Sequence, residues 1–203
     1  MNKLAAAILC GGQSRRMGSS KAWLSFGDET CLQRAIRIAS SSIVQKIYVV
    51  AAPEQDLPTL SPNVTILRDE RAFEGPLRGL FTSLRTLSHD FDRLFLCGCD
   101  TPFLKPQLID FLADKSKEQA VIVPRIEGRL QPLHGRYDKS VLPILEESLK
   151  LGQLRMTDFL AQVELDIVEE NEIRRFDPLL RGFMNLNSRE EYETALKLMG
   201  EEK

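Results

Sequence analysis

The residues best suited to chemistry in this 203-residue sequence lie in a glycine-rich segment near its start, at residues 11–21. The segment combines glycines with cations: Gly11, Gly12, Gly18, Arg16 and Lys21. Glycines let the main chain turn sharply and approach a ligand closely, and exposed backbone N–H groups beside two cations form a positive concavity. We therefore predict a phosphate-binding loop, with a solvated basic turn as the alternative.

The glycine spacing differs from both common phosphate-binding loops. Five residues separate Gly12 from Gly18, and Lys21 follows three positions later. A Walker A motif has four residues between its glycines and a Lys directly after the second, and the G-x-G-x-x-G pattern is also absent. The spacing disfavours P-loop kinases and dinucleotide-dependent dehydrogenases.

A second candidate group is the carboxylate of Asp100. It follows the apolar run at residues 94–97, and Pro102 comes soon after it in a turn. In doubly wound sheets ligands bind beyond the carboxyl ends of the strands, so Asp100 and the first loop are expected to face one crevice. Carboxylate oxygens hold Mg²⁺ together with substrate phosphates, which makes Asp100 a candidate metal ligand. The alternative is a simple helix N-cap.

The elements that must position these groups alternate along the chain. Continuous apolar runs predict buried strands at residues 4–10, 47–52, 64–67, 94–97 and 120–123. Helical patterns stand between and after them, at residues 31–41, 77–87, 107–115, 139–151 and 189–199. Strands buried on both faces and separated by helices indicate an α/β fold, a three-layer doubly wound domain with a mainly parallel sheet.

We expect one domain over residues 1–203, with a nucleotide-binding half at about residues 1–105 and an acceptor-binding half at about 106–203. The less regular region at 131–187 is expected to add strands and a rim to the nucleotide half. His89 and His134 have no partner recognisable from sequence, so each is expected to be hydrogen-bonded or exposed.

Composition excludes several classes of protein. Lys and Arg total 27 against 29 Asp and Glu, so we expect no general attraction to nucleic acid or to a membrane surface. The apolar runs are too short to span a bilayer, and the N-terminal segment does not resemble a signal peptide, which predicts a cytoplasmic protein. The four cysteines form no C-x-x-C pair and are expected to be reduced thiols, with Cys10 and Cys97, which lie in apolar runs, buried.

Residues 9–21, LCGGQSRRMGSSK, resemble the L-x-G-G-x-x-x-R-M-G-x-x-K signature of the NTP-transferase superfamily. The form is that of molybdenum cofactor guanylyltransferases, the MobA family, which implies a Rossmann-like nucleotidyltransferase fold. The strand before Asp100, the G-P-L-x-G element at residues 75–79 and the N-x-N-S element at 185–188 are similar to other segments of that family. The sequence departs from the family at Ser20, where many members have Asp, and at Ala51, where a guanine-side Asn is usual.

The resemblance implies residue roles. The catalytic residues would be Arg16, Lys21 and Asp100, with Asp100 as the metal ligand. The nucleotide would be bound by Leu9, Cys10, Gly11, Gly12, Lys21, Asp69, Gly79 and Asp100. The acceptor would be bound by Arg155, Asn185 and Asn187.

The implied reaction is Mg²⁺-dependent transfer of GMP from GTP to molybdenum-molybdopterin, with pyrophosphate as the second product. Molybdoenzymes or their maturation chaperones are candidate partners. Two alternatives stay open: a cytidylyl- or sugar-phosphate nucleotidyltransferase, and a catalytically silent GTP-binding maturation partner.

Overall fold

Apolar runs rich in alanine and β-branched residues form the middle of a mixed sheet. The structure, a computed structural model, describes residues 3–11, 20–69, 75–115 and 118–201. Within these ranges eight strands belong to one sheet: β1 (Lys3–Leu9), β4 (Lys46–Ala51), β5 (Val64–Arg68), β6 (Phe91–Gly98), β7 (Val121–Ile126), β8 (Arg129–Leu130), β9 (His134–Asp138) and β10 (Leu165–Glu169). A separate small hairpin pairs β2 (Ser25–Phe26) with β3 (Glu29–Thr30).

The strand order is β10-β7-β9-β6-β1-β4-β5, and β8 pairs with β7. Neighbours from β6 to β5 are parallel, whereas β9 runs antiparallel to both β6 and β7. The sheet is therefore mainly parallel, and the predicted fold class is confirmed. Because β1 lies between β6 and β4, the loops that follow these strands meet at one edge of the sheet.

Helices cover both faces of the sheet. They are α1 (Cys31–Ser40), α2 (Pro76–Thr86), α3 (Pro106–Asp114), α4 (Leu142–Lys150), α5 (Met156–Leu160), α6 (Glu170–Ile173) and α7 (Arg189–Glu201). Side chains of α1, α3 and α6 form one hydrophobic core with one face of the strands, and side chains of α2, α4 and α5 form a second core on the other face. Successive residues of β1, such as Ala6 and Ala7, point to opposite faces of the sheet and contribute to different cores.

The helix ends follow local chemistry. Thr30 and Gln33 form a capping box at the start of α1, and Ser188 and Glu191 bond reciprocally at the start of α7. The predicted helix at 139–151 was wrong at its start: residues 139–141 form a 3₁₀ turn and α4 begins at Leu142. Pro143 is placed in the first turn of that helix, where its missing N–H costs nothing.

Two strands of the less regular region were not predicted individually. β9 contains Arg136 and Asp138, which interrupt the apolar pattern that marks a buried strand. Arg136 is nevertheless fully buried, and its guanidinium donates to the carbonyls of Lys115 and Gln119 while its Nε lies 3.3 Å from Asp138 Oδ1. A buried charge is tolerated here because it is paired and hydrogen-bonded.

A third, smaller core joins the end of the chain to its beginning. Phe26 of the β2–β3 hairpin packs edge-on against Phe103, and α7 adds Ala195 beside Leu186. This core holds the segment before α7 against the loop that follows β6.

Among the described residues no helix is both long and apolar enough to cross a membrane.

Candidate active site

The candidate site lies where the carboxyl ends of four parallel strands meet. The backbone N–H of Cys99 donates to the Leu9 carbonyl at 3.0 Å, which joins the exits of β6 and β1. On the other side the Asp69 N–H donates to the Ala51 carbonyl at 3.0 Å and joins the exits of β5 and β4. The loops that carry the predicted residues therefore start from one rigid sheet edge.

Lys21 and Asp100 meet at this sheet edge, so the first loop and the loop after β6 converge as the sequence predicts. Lys21 Nζ lies 2.5 Å from Asp100 Oδ2, and the side chains are only 20% and 17% exposed. Partial burial strengthens the attraction between the two charges relative to a pair on the surface. A Cβ at Gly98 would overlap Asp100 Oδ1, so the glycine leaves room for the carboxylate to fold back over the end of β6.

Asn187 completes the cluster from the far end of the chain. Its Oδ1 accepts a hydrogen bond from Lys21 Nζ at 2.8 Å. The preceding residue fixes its place, because the Leu186 N–H donates to the Asp100 carbonyl at 3.0 Å. Glu191 Oε2 accepts from the Asn187 N–H at 2.7 Å and ties Asn187 to the start of α7. One ammonium group thus bridges two hard oxygen atoms.

The predicted nucleotide-side residues adjoin this cluster through close packing. A Cβ at Gly79 would lie 2.7 Å from Leu9 Cδ2, so α2 rests directly on the Leu9 side chain. At Gly11 a Cβ would lie 3.2 Å from the Ala52 nitrogen. Cys10 is buried, and its thiol donates to the Val50 carbonyl at 3.2 Å. These contacts hold the start of the glycine-rich segment against the exit of β4.

Asp69 and the start of α2 lie near the exits of β5 and β4. Asp69 Oδ1 accepts from the Thr82 hydroxyl at 3.2 Å, so its carboxylate is held by α2. The helix begins after Gly75, whose φ of 85° is in the region that favours glycine, and Pro76 occupies its first turn.

Gln55 is a residue of this region that sequence reasoning missed. Its Nε2 donates to the Cys10 carbonyl at 2.9 Å and to the Ser20 hydroxyl at 3.2 Å, and its Oε1 accepts from the Ala52 N–H. One side-chain amide therefore joins both ends of the glycine-rich segment to the loop after β4. No sequence signal marks it, because a lone glutamine in a loop is common.

The remaining predicted residues are less closely tied to the cluster. Gly12 and Arg16 lie outside the described residues. Asn185 is half-buried, and its Nδ2 donates to the Phe183 carbonyl at 3.3 Å. Arg155 has an exposed side chain and precedes α5; its neighbour Leu154 has its carbonyl 3.6 Å from the position of a Cβ at Gly75. Arg155 thus lies beside the start of α2 and is not joined to Asp100 by any hydrogen bond or ion pair between described residues.

The four cysteines are free thiols, as predicted, and burial was predicted for Cys10 and Cys97 but extends to Cys31 and Cys99. Burial raises the pKa of Cys10, Cys31 and Cys97 to about 12, which keeps them protonated and unreactive near neutral pH. His89 is exposed, as expected. In the ranges that the structure describes, no group of three or more His, Cys, Asp and Glu side chains is arranged to hold a metal ion.

The expectation for His134 was wrong. The side chain is buried, its ring centroid lies 4.7 Å from that of Phe183, and neither ring nitrogen has a hydrogen bond of good geometry to a described residue. Burial lowers the pKa of His134 to about 4, against the weaker opposing effects of the Asp100 charge and the Gly182 backbone. His134 is a neutral packing residue beneath the segment that leads to Asn187.

Comparison with known proteins gives one consistent family. The family model described as the MobA-like NTP transferase domain matches residues 6–167. A probable molybdenum cofactor guanylyltransferase of Carboxydothermus hydrogenoformans is 30% identical over 198 residues, which cover 98% of each chain. A second, from Methanosarcina mazei, is 32% identical over 94% of this chain and 89% of its own.

A solved structure is similar over almost the whole length. The crystal structure of molybdopterin-guanine dinucleotide biosynthesis protein A from Archaeoglobus fulgidus superposes with a TM-score of 0.80 at 20% identity. The match covers 97% of this chain and 99% of the other. At this identity the likeness shows a shared fold.

Proposed function

The chain belongs to the MobA-like NTP transferase family, and from this membership we propose that it transfers GMP from GTP onto molybdenum-molybdopterin and releases pyrophosphate. The observation that carries the proposal is the convergence of Lys21, Asp100 and Asn187 at the carboxyl ends of the parallel strands. Relatives named as molybdenum cofactor guanylyltransferases support the choice of substrates.

The nucleotide would lie across the exits of β1, β4 and β5. Leu9 packs on the buried Gly79 there, and Asp69, whose carboxylate accepts from Thr82 of α2, follows β5. Lys21 enters from the end of the glycine-rich segment, so its ammonium can reach the triphosphate. Gly12 and Arg16, predicted to assist, belong to the part of the proposal that rests on sequence alone.

The donor set fits a magnesium ion. Asp100 Oδ2 and Asn187 Oδ1 are hard oxygen atoms that already converge on one cationic group, the Lys21 ammonium, at 2.5 and 2.8 Å. Mg²⁺ commonly takes one or two protein oxygens and completes its shell with water and substrate phosphates. Asp100 would hold the ion, with Asn187 beside it. Mg²⁺ would supply electrostatic stabilisation of the phosphate oxygens.

The residues would then act by positioning and by charge. An acceptor phosphate oxygen attacks the α-phosphorus of GTP; a new P–O bond forms and the bond to the bridging oxygen of the β-phosphate breaks. The acceptor phosphate is already ionised near neutral pH, so no protein nucleophile is needed. Lys21 would offset charge on the triphosphate, and the rigid sheet edge would keep Asp100 and Asn187 fixed as charge shifts to pyrophosphate.

The acceptor would approach from the side of α5 and the segment before α7. Arg155 is exposed next to the start of α2, where a guanidinium can bind a phosphate with two parallel hydrogen bonds. Asn185 lies two residues before Asn187 on the same segment. Molybdoenzymes or their maturation chaperones as recipients, and a cytoplasmic location, are further parts of the proposal.

Substrate competition tests the proposal. Purified protein with Mg²⁺ is given GTP, CTP, UTP or ATP, each with molybdenum-molybdopterin or a hexose phosphate, and pyrophosphate release is measured. We expect release with GTP and the pterin acceptor, in preference to all other pairs. Pyrophosphate release only in mixtures that contain CTP, or only in those that contain a hexose phosphate, would assign a different nucleotidyltransferase activity. GTP binding without release in any mixture would indicate a silent maturation partner.

A further inference from the structure

Asp177 is a buried carboxylate outside the predicted site. It is only 4% exposed, and its two oxygens accept from consecutive backbone groups: Oδ2 from the Gly182 N–H at 2.8 Å and Oδ1 from the Arg181 N–H at 3.2 Å. A carboxylate removed from water needs such donors. The two bonds close the turn between α6 and the segment that carries Asn185 and Asn187.

The turn is tight and closely fitted. Leu180 has a φ of 53°, a left-handed conformation that is unfavourable for a residue with a branched side chain. A Cβ at Gly182 would lie 2.9 Å from Asp177 Oδ2 and 3.4 Å from the Phe103 carbonyl oxygen, so a glycine is needed there. Such a backbone persists only where its surroundings hold it, and Asp177 supplies two of the bonds that do so.

The turn leads directly into the cluster. Gly182 lies against Phe103 in the loop that follows Asp100, and the Leu186 N–H donates to the Asp100 carbonyl. Asn187 comes next and bonds Lys21. The chain from Asp177 to Asn187 thus touches the Asp100 loop at two points, so the turn sets both the path of the segment and the place of the Asn187 amide.

We propose that Asp177 is a positioning residue: its carboxylate fixes the turn at Arg181 and Gly182 and thereby holds Asn187 against Lys21 and Asp100. The inference rests on the proposed nucleotidyl transfer for its kinetic consequence. Its structural consequence, an ordered bond between Leu186 and Asp100, holds whatever the substrate is.

The kinetic test uses Asp177→Asn, which keeps the volume of the side chain but replaces one acceptor by a donor facing an N–H group. We expect kcat for pyrophosphate release to fall about 10-fold or more, with KM for GTP changed less than about 3-fold. Asp110→Asn is the matched control, since Asp110 Oδ1 also accepts a backbone N–H, that of Ile43, in a loop remote from Asp100. It should lower stability without changing kcat of the folded protein.

A double-mutant cycle separates positioning from general weakening. If Asp177 acts through Asn187, adding Asp177→Asn to Asn187→Ala should lower kcat by less than about 2-fold beyond the single Asn187 variant. A double variant in which the fold-losses in kcat of the two single variants multiply would overturn the proposal. So would an unchanged kcat in Asp177→Asn while the wild-type protein is active; an inactive wild type would instead count against the proposed function.

Amide hydrogen exchange gives a readout that needs no substrate. In Asp177→Asn the amide of Leu186 should exchange at least about 10-fold faster than in the wild type, because its bond to the Asp100 carbonyl opens more often. In Asp110→Asn it should exchange at the wild-type rate. Equal protection of Leu186 in the wild type and Asp177→Asn would contradict the positioning role.

Discussion

At the scale of single residues, Lys21 and Asp100 were predictable because each stands in a recognisable pattern, a glycine-rich loop and a strand that ends in a carboxylate. The third member of the cluster was predicted only through family resemblance. Lys21 and Asn187 are 166 positions apart, and no spacing rule connects them. His134 was misjudged for a related reason: sequence shows the polarity of an imidazole but not the aromatic ring of Phe183 that buries it.

Lys21→Ala tests the role of the ammonium. Because Lys21 would offset charge on the triphosphate, its loss should raise KM for GTP by about 10-fold or more and lower kcat less. Steady-state pyrophosphate assays over a GTP series measure both. Lys150→Ala, which removes an exposed lysine at the end of α4, is the control and should leave both constants unchanged. A KM for GTP that stays at the wild-type value in Lys21→Ala would remove Lys21 from the binding site.

His134 predicts a pH dependence of stability. Its pKa is about 4 in the folded protein and about 6.5 in the unfolded chain, so the unfolded state takes up a proton first as the pH falls. Stability should be fully present above about pH 6.5 and decrease by about 3 kcal/mol by pH 4 from this group alone. Urea titrations at several pH values give the free energy of unfolding.

In His134→Phe this contribution should disappear, because phenylalanine fills the same site beside Phe183 and does not titrate. The free energy of unfolding of the variant should therefore depend less steeply on pH between 6.5 and 4. Equal slopes for the two proteins would show that the imidazole is already accessible to protons in the folded state.

At the scale of elements, the five predicted strands all occur, because continuous apolar runs report burial on both faces. β9 was not predicted, since Arg136 and Asp138 break that pattern and find their compensation only in the folded protein. The hydrogen bonds of Gln55 were missed for a similar reason: their partners, Cys10 and Ser20, lie in a different part of the chain. A local sequence pattern indicates which side chains an element buries, but it says less about which hydrogen bonds and ion pairs the element makes.

Gln55→Ala tests whether the hydrogen bonds of the Gln55 side chain order the glycine-rich segment. The change removes hydrogen bonds to the Cys10 carbonyl, the Ser20 hydroxyl and the Ala52 N–H, each worth about 1 kcal/mol. We expect KM for GTP to rise about 10-fold, with a smaller change in kcat. Gln45→Ala, at an exposed glutamine before β4, should behave as the wild type. Indistinguishable KM values would show that the segment is ordered without Gln55.

At the scale of the whole molecule, the parallel strands β6, β1, β4 and β5 form one side of the sheet, and the antiparallel β9 joins them to β7 and β10. Asp138 of β9 ties the two sides together, because its carboxylate lies 3.8 Å from Arg93 Nε of β6 and 3.3 Å from Arg136 Nε. This arrangement could not be read from composition, which shows only a mixed-charge chain. The division near residue 105, expected from motif content, stays a prediction.

Arg136→Met tests how strongly this buried network stabilises the fold. Removing the guanidinium leaves several carbonyls without their donor and Asp138 with the more distant Arg93, so we expect the free energy of unfolding to fall by about 3 kcal/mol. Chemical denaturation measures the change. Arg129→Met, at an exposed arginine of β8, should change stability by less than about 0.5 kcal/mol. Equal small effects for the two variants would mean that solvent replaces the lost bonds.

The most direct test of the active-site assignment is single-turnover transfer of labelled GMP from GTP to molybdenum-molybdopterin in the presence of Mg²⁺. Asp100→Ala is compared with Asp114→Ala, which removes an exposed carboxylate at the end of α3. We predict that the folded Asp100 variant transfers GMP at least about 1,000-fold more slowly, while Asp114→Ala equals the wild type. Transfer by Asp100→Ala at the wild-type rate would contradict the assignment of this crevice as the active site.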